Sequence, residues 1–97
     1  MKKTYAKNGA SCRVTFSVPA EIGADSVALC GEFNGWDPDK HPLKKRKDGS
    51  FSTTISLETG SSYRFRYWID NSVWENDWEA DDYVSNEYGT EDSVVTV

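Results

Sequence analysis

Residues 62–69 read Ser-Tyr-Arg-Phe-Arg-Tyr-Trp-Ile, and their alternation decides the fold class. A β-strand turns successive side chains to opposite faces. Tyr63, Phe65, Tyr67 and Ile69 therefore make one apolar face, while Arg64, Arg66 and Trp68 make the other. The same period-two pattern runs through Cys12, Val14, Phe16 and Val18, ending at Pro19, and through Phe51, Thr53, Ile55 and Leu57. Residues 26–33 and 93–97 are further strands, and residues 43–46 a short one. Between them stand turn signals: Asn34-Gly35, Asp48-Gly49 and Glu58-Thr59-Gly60. The segment from Ser72 to Glu87 is polar, acidic and aromatic, which predicts a long loop with one short strand. No window has the 3.6-residue period of a useful helix. Six or seven short strands with turns between them describe an all-β, immunoglobulin-like sandwich of two antiparallel sheets, with residues 1–97 as one freestanding domain.

A chain of 97 residues supports one modest core. Its 16 acidic and 11 basic residues leave a net charge of −5. That argues against nucleic acid or an anionic membrane as partner, because both are bound mainly through Lys and Arg. The basic run Lys44-Lys45-Arg46-Lys47 leads directly into Asp48-Gly49 and reads as a solvated approach to a turn. Met1-Lys2-Lys3 is followed by no apolar segment, so the expected location is cytoplasmic. Cys12 shares the face of Val14 and Phe16, whereas Cys30 has the opposite parity to Val27 and Leu29. Two thiols on opposite faces cannot pair, and free cysteines suit a reducing compartment. No Cys/His cluster has metal-ligand spacing, and neither a metal nor a cofactor is expected. His41, the single histidine, reads as surface decoration in the loop Asp39-Lys40-His41-Pro42.

Four tryptophans and five tyrosines exceed what so small a core needs. Trp36 ends the run Gly31-Glu32-Phe33-Asn34-Gly35-Trp36, and Trp74 follows the turn Asp70-Asn71-Ser72. Flat rings at turns offer apolar faces to an outside ligand. Sugar rings have C–H-rich faces that lie on such planes, and hydroxyls that need polar partners at the edge. Trp68 stands between flanking that site and covering the sheet edge. Trp78 is expected to anchor its loop on the core. The carboxylates Asp77, Glu79, Asp81 and Asp82 lack calcium-loop spacing and read as a solvated loop. They are equally a poor hydrolase pair, which needs two acids across a deep cleft.

Three runs carry a family resemblance: VALCGEFNGWDP (27–38), YRFRYWIDNSVWEND (63–77) and NEYGTEDSVVTV (86–97). In order and with small gaps, from about Ser26 to Val97, they resemble the glycogen-binding domain of the β subunit of AMP-activated protein kinase. They equally resemble the early-set domains of isoamylases, pullulanases and branching enzymes, together the family 48 carbohydrate-binding modules. Small stand-alone bacterial proteins with an isoamylase N-terminal domain are the nearest in kind. The resemblance implies that Trp36 and Trp74 stack on glucose rings and that Arg66 stands for a lysine of the family. Tyr88 stands for a bulky, usually aliphatic residue that projects through the sugar helix. Thr90 matches the threonine of that loop, and Asp92 replaces an asparagine.

These readings together predict non-catalytic binding of α-1,4-glucans such as glycogen, starch or maltooligosaccharides. Trp36, Trp74, Arg66, Tyr88, Thr90 and Asp92 would form the site, with the two indoles exposed and roughly coplanar. The alternatives are a protein-interaction or regulatory module that keeps the sandwich without sugar binding, or an accessory subunit of a glycoside hydrolase. The resemblance implies docking to catalytic domains or kinase subunits, a glucan-metabolising enzyme among the candidate partners.

Overall fold

The computed structural model describes Met1–Val97. Nine strands follow one another: β1 (Lys2–Tyr5), β2 (Ser11–Val18), β3 (Val27–Gly31), β4 (Lys44–Lys45), β5 (Phe51–Glu58), β6 (Ser62–Ile69), β7 (Val73–Glu75), β8 (Asp82–Ser85) and β9 (Glu91–Thr96). One sheet has the order β1-β2-β5-β4, the other β3-β6-β9-β8 with β7 added beside β6, and every pairing is antiparallel. The expected two-sheet sandwich is what forms.

Alternation along β2 and β6 builds the core. Cys12, Val14, Phe16 and Val18 meet Phe65, Tyr67 and Ile69 between the sheets, with Val27, Leu29, Phe51, Leu57 and Val95 around them. Phe16 and Phe65 pack edge to face at 5.0 Å, and each such ring contributes about 1.5–3 kcal/mol through burial alone. The other face of β6 carries Arg64, Arg66 and Trp68 away from the core, as its sequence pattern requires.

Three departures from the expected strands have local causes. β1 is an edge strand that pairs with β2 from Lys2↔Thr15 to Tyr5↔Cys12. Its side chains are mostly exposed, so no hydrophobic period announces it. The strand expected over 26–33 stops at Gly31, where a 3-10 turn, Glu32–Asn34, begins. The long loop after Ser72 contains two strands, β7 and β8, of three and four residues. β6–β7 reverse through Asp70 and Asn71, both left-handed (φ 52° and 54°), with the Ser72 N–H donating to the Ile69 carbonyl. Positive φ at both central positions is the hairpin geometry that twisted strands favour. The Asp70 carboxylate then accepts from the Asp25 and Ser26 N–H groups at 2.7 and 2.8 Å, fixing the entry to β3.

The acidic segment is solvated only in part: Glu79, Asp81 and Asp82 are exposed, but Asp77 is buried and Asp81 is bonded to the sheet. Asp77 is 7% exposed and accepts a 2.6 Å hydrogen bond from the Tyr67 hydroxyl. Burial, followed by the charge and hydrogen bond of Asp77, holds the Tyr67 phenol well above its ordinary range. Asp81 pairs with Lys3 at 2.7 Å and accepts from the Thr96 N–H. Burial raises that carboxyl, but these two hydrogen bonds and the Lys3 charge outweigh it and leave the group lowered. Acidic side chains in a polar stretch are usually solvated; here two of them hold the edge of the sandwich together.

Both cysteines are free and buried, on opposite faces as expected. Cys30 lies on the outer face of β3, where burial and then the Asp37 carboxylate push its thiol up to about 11. In the unfolded chain the thiol has its ordinary value of 9.0, so it ionises first. The folded state therefore loses stability as pH rises from about 9 to about 11. Denaturant midpoints across that range should fall less steeply in Cys30→Ala than in the parent, a difference that removes the parallel contribution of Tyr67. A second outcome concerns Gly31, whose backbone is extended and unstrained. A Cβ there would sit 2.7 Å from the Arg64 carbonyl oxygen and from the Phe33 ring. Gly31→Ala should cost about 1–3 kcal/mol in a denaturation experiment.

Candidate carbohydrate site on the outer face

The turn that carries Trp36 is held from inside by one amide. Asn34, 4% exposed, accepts the Gly31 N–H on its Oδ1 at 3.0 Å and donates through Nδ2 to the Leu29 carbonyl at 2.9 Å. The same Nδ2 lies 2.9 Å from His41 Nδ1, which must act as acceptor there. His41 is thus half-buried and structural, packed edge-on to Phe33, rather than surface decoration. Gly35 (φ 66°) and then Trp36 itself (φ 60°) turn left-handed, and the Trp36 N–H closes back on the Gly31 carbonyl at 2.9 Å. A left-handed tryptophan is costly for a side chain with a Cβ. The buried Asn34 network over-determines it.

Across the sheet, Trp74 on β7 stands opposite Trp68 on β6, which stands opposite the small Ala28 on β3. The Trp68 and Trp74 rings lie 4.6 Å apart at 47°. The Arg66 guanidinium covers the Trp74 ring, 5.5 Å from its centre. Trp36 meets Trp74 edge to face, 6.5 Å apart and at 85°. The expected coplanar pair is therefore a right-angled corner. Its cause is local: Trp36 leaves a left-handed turn beside β3, whereas Trp74 projects from a strand. Neither ring is buried, and Trp74 is 39% exposed. Trp68, half-buried, braces Trp74 from below.

The corner forms one wall of an open groove of about 770 Å³. Arg64 and Arg66, from the outer face of β6, make its floor with Asp92, and Glu32 and residues 85–88 complete the lining. Five of the six residues singled out from sequence line it: Trp36, Trp74, Arg66, Tyr88 and Asp92. Thr90 does not. Its hydroxyl is engaged by the Asn86 side chain, with oxygen-to-oxygen and oxygen-to-nitrogen distances of 3.1 and 2.8 Å, inside the 86–90 turn. Asp92 is 7% exposed; its carboxylate accepts from Asn86 Nδ2 at 3.1 Å and faces Arg64 at 3.7 Å. Asp92 therefore shapes the groove from below. Tyr88 is 82% exposed and stands free at the rim. Arg66 Nε is buried without any acceptor, an unmet donor beneath the groove surface.

Sequence reasoning passes over Arg64, Glu32 and Asn86. Arg64 is within its reach, since it shares the outer face of β6 with Arg66. Glu32 binds the Arg64 N–H at 2.7 Å from across the sheet, a contact without a local signal.

An aromatic corner over a polar, arginine-floored groove on a β-sandwich is the architecture of a carbohydrate-binding module. Residues 14–97 match the family described as the glycogen recognition site of AMP-activated protein kinase, and the chain belongs to that family. It is also similar to 1,4-alpha-glucan branching enzymes. It is 43% identical over 68 residues to GlgB of Aquifex aeolicus, covering 67% of this chain and 10% of that one. Identity is 42% over 43 residues to GlgB of Photobacterium profundum, covering 43% of this chain and 6% of that one. The chain thus spans a tenth or less of the length of these relatives.

The Asn34 network is directly testable. Asn34→Ala strands the Gly31 N–H and the Leu29 carbonyl in a buried site, which should cost about 1–3 kcal/mol. The change should also shift the indole NMR signal of Trp36 more than that of Trp78, which lies elsewhere.

Proposed function

We propose that the groove binds α-1,4-linked glucans, such as glycogen, starch or maltooligosaccharides, without chemistry of its own. The observation that carries this reading is the right-angled pair Trp36 and Trp74 beside the Arg66 guanidinium. An α-1,4-glucan curves, so neighbouring glucose rings face in different directions. Two perpendicular indoles suit that curve, whereas a flat β-1,4 ribbon calls for parallel platforms. Arg66 and Arg64 both line the groove, and their guanidinium groups can donate to ring hydroxyls. Tyr88, at the open rim, is placed to pack against or through the curve. Thr90 and Asp92 act by holding Asn86 and Arg64 in place rather than by touching sugar first.

Affinity should be weak, roughly micromolar to millimolar, because the groove is open and buries little of the ligand. The relatives are 1,4-alpha-glucan branching enzymes, which fits this ligand class. A glucan-metabolising enzyme is the natural companion of such a domain, and two free thiols suit a cytoplasmic setting. The groove holds Glu32, Glu87 and Asp92, but Asp92 is committed to Asn86 and Arg64 and Glu32 to the Arg64 N–H, which leaves Glu87 without a free partner acid of the kind hydrolysis uses.

Titration of the indole NMR signals with β-cyclodextrin and maltoheptaose should give saturable shifts at Trp36 and Trp74. Cellohexaose should give none. Trp36→Ala and Trp74→Ala, each checked for folding by circular dichroism, should weaken binding by about tenfold or more. Folded protein that shows no response to millimolar α-glucan would overturn the reading.

A further inference from the structure

Trp78, expected to anchor its loop on the core, does not do so. It is 61% exposed, well beyond the 39% of Trp74. The segment that bears it is nevertheless pinned. The Asp77 N–H donates to Ser93 Oγ, and the Asp77 carbonyl accepts from the Tyr83 hydroxyl at 2.6 Å. The Asp77 carboxylate takes the Tyr67 hydroxyl and the Glu79 N–H. An indole held out on a rigid support gives up the burial it could have had and has little freedom left to lose on binding.

Beside the ring lies a shallow depression of about 230 Å³. Ser17, Ser50, Asp77 and Glu79 are its polar lining residues, beside Val18, Pro19 and Met1. None of these residues lines the Trp36–Trp74 groove. Its lining sets two carboxylates, Asp77 and Glu79, against the single α-ammonium of Met1, which disfavours an anionic ligand. An apolar protein segment would desolvate the Ser17 hydroxyl and the Glu79 carboxylate without replacing their hydrogen bonds. A hexose ring answers both requirements: a C–H face for the indole, and neutral hydroxyls that donate to Glu79 and Ser17.

We propose that Trp78, Glu79, Ser17 and Ser50 form a second carbohydrate subsite, which takes a single ring of a glucan chain. This rests on the reading of the domain as glucan-binding. Two separated sites on one rigid body gain little on a short oligosaccharide. On a branched polymer, which offers many chains at once, the second contact becomes intramolecular and raises apparent affinity without any change in the first.

The test is a maltotriose titration followed at the four indole N–H signals, with Trp78→Phe used to assign one of them. A saturable shift at Trp78, retained in the Trp36→Ala/Trp74→Ala double variant, establishes the subsite. If that variant does not fold, the wild-type titration reads the same resolved signal. Movement of Trp36 and Trp74 with Trp78 stationary overturns the subsite and leaves the groove reading intact. Silence at all four signals removes both. In affinity electrophoresis through glycogen, Trp78→Ala should lower the apparent affinity by about tenfold, and an unchanged mobility would overturn the proposal.

Discussion

The strict alternation of β6 is the constraint on which the rest of this molecule depends. Its inward residues Phe65, Tyr67 and Ile69 fill the sandwich, and its outward residues Arg64, Arg66 and Trp68 make the floor and brace of the groove. The strand also touches three partners, with β3 on one edge and β9 and β7 sharing the other. A one-residue slip in its register would send arginines into the core and phenylalanine into the groove. Core and candidate site are therefore two sides of one decision. A substitution that weakens core packing along β6 also loosens the groove.

Strands set the floor, but left-handed turns set the walls. Gly35 and Trp36 turn one indole upright, and Asp70 and Asn71 return the chain so that Trp74 lies across Trp68. Three of these four positions carry side chains that bear a conformational cost, offset by neighbours. Around Trp36 the offset is the buried Asn34 amide, with all its polar atoms engaged; at the hairpin it is the Asp70 carboxylate, which caps two amides at the start of β3. Local strain and long-range hydrogen bonding together place the rings. Hydrophobic burial contributes less there.

Wherever one face of a strand is buried, the sequence alone is enough to read it. β2, β5 and β6 stand out because their apolar residues recur at period two, and the opposite facing of Cys12 and Cys30 follows from the same rule. β1 is invisible because Lys2, Lys3, Thr4 and Tyr5 are joined to the sheet by backbone pairing rather than burial. β7 and β8 are too short for any period to register. At the candidate site, Trp36 and Trp74 are legible because a large aromatic beside a turn signal is unusual. The 85° between them is not, since it depends on the backbone angle of a single residue. Asp77 and Trp78 exchange their expected roles: the carboxylate is buried and the indole exposed. Charge and hydropathy predict burial on average, but a tyrosine hydroxyl inside the sandwich needs an acceptor, and Asp77 is the residue in reach.

The Lys3 ammonium does more than neutralise Asp81. It also donates to the Thr96 carbonyl at 3.0 Å, so the first strand and the last are fastened to each other across the gap between the sheets. The first and last strands are therefore neighbours. A domain with adjoining ends can be spliced into a surface loop of another protein without being stretched. It can also be closed by a short peptide and reopened at the exposed Asp48-Gly49 turn between β4 and β5.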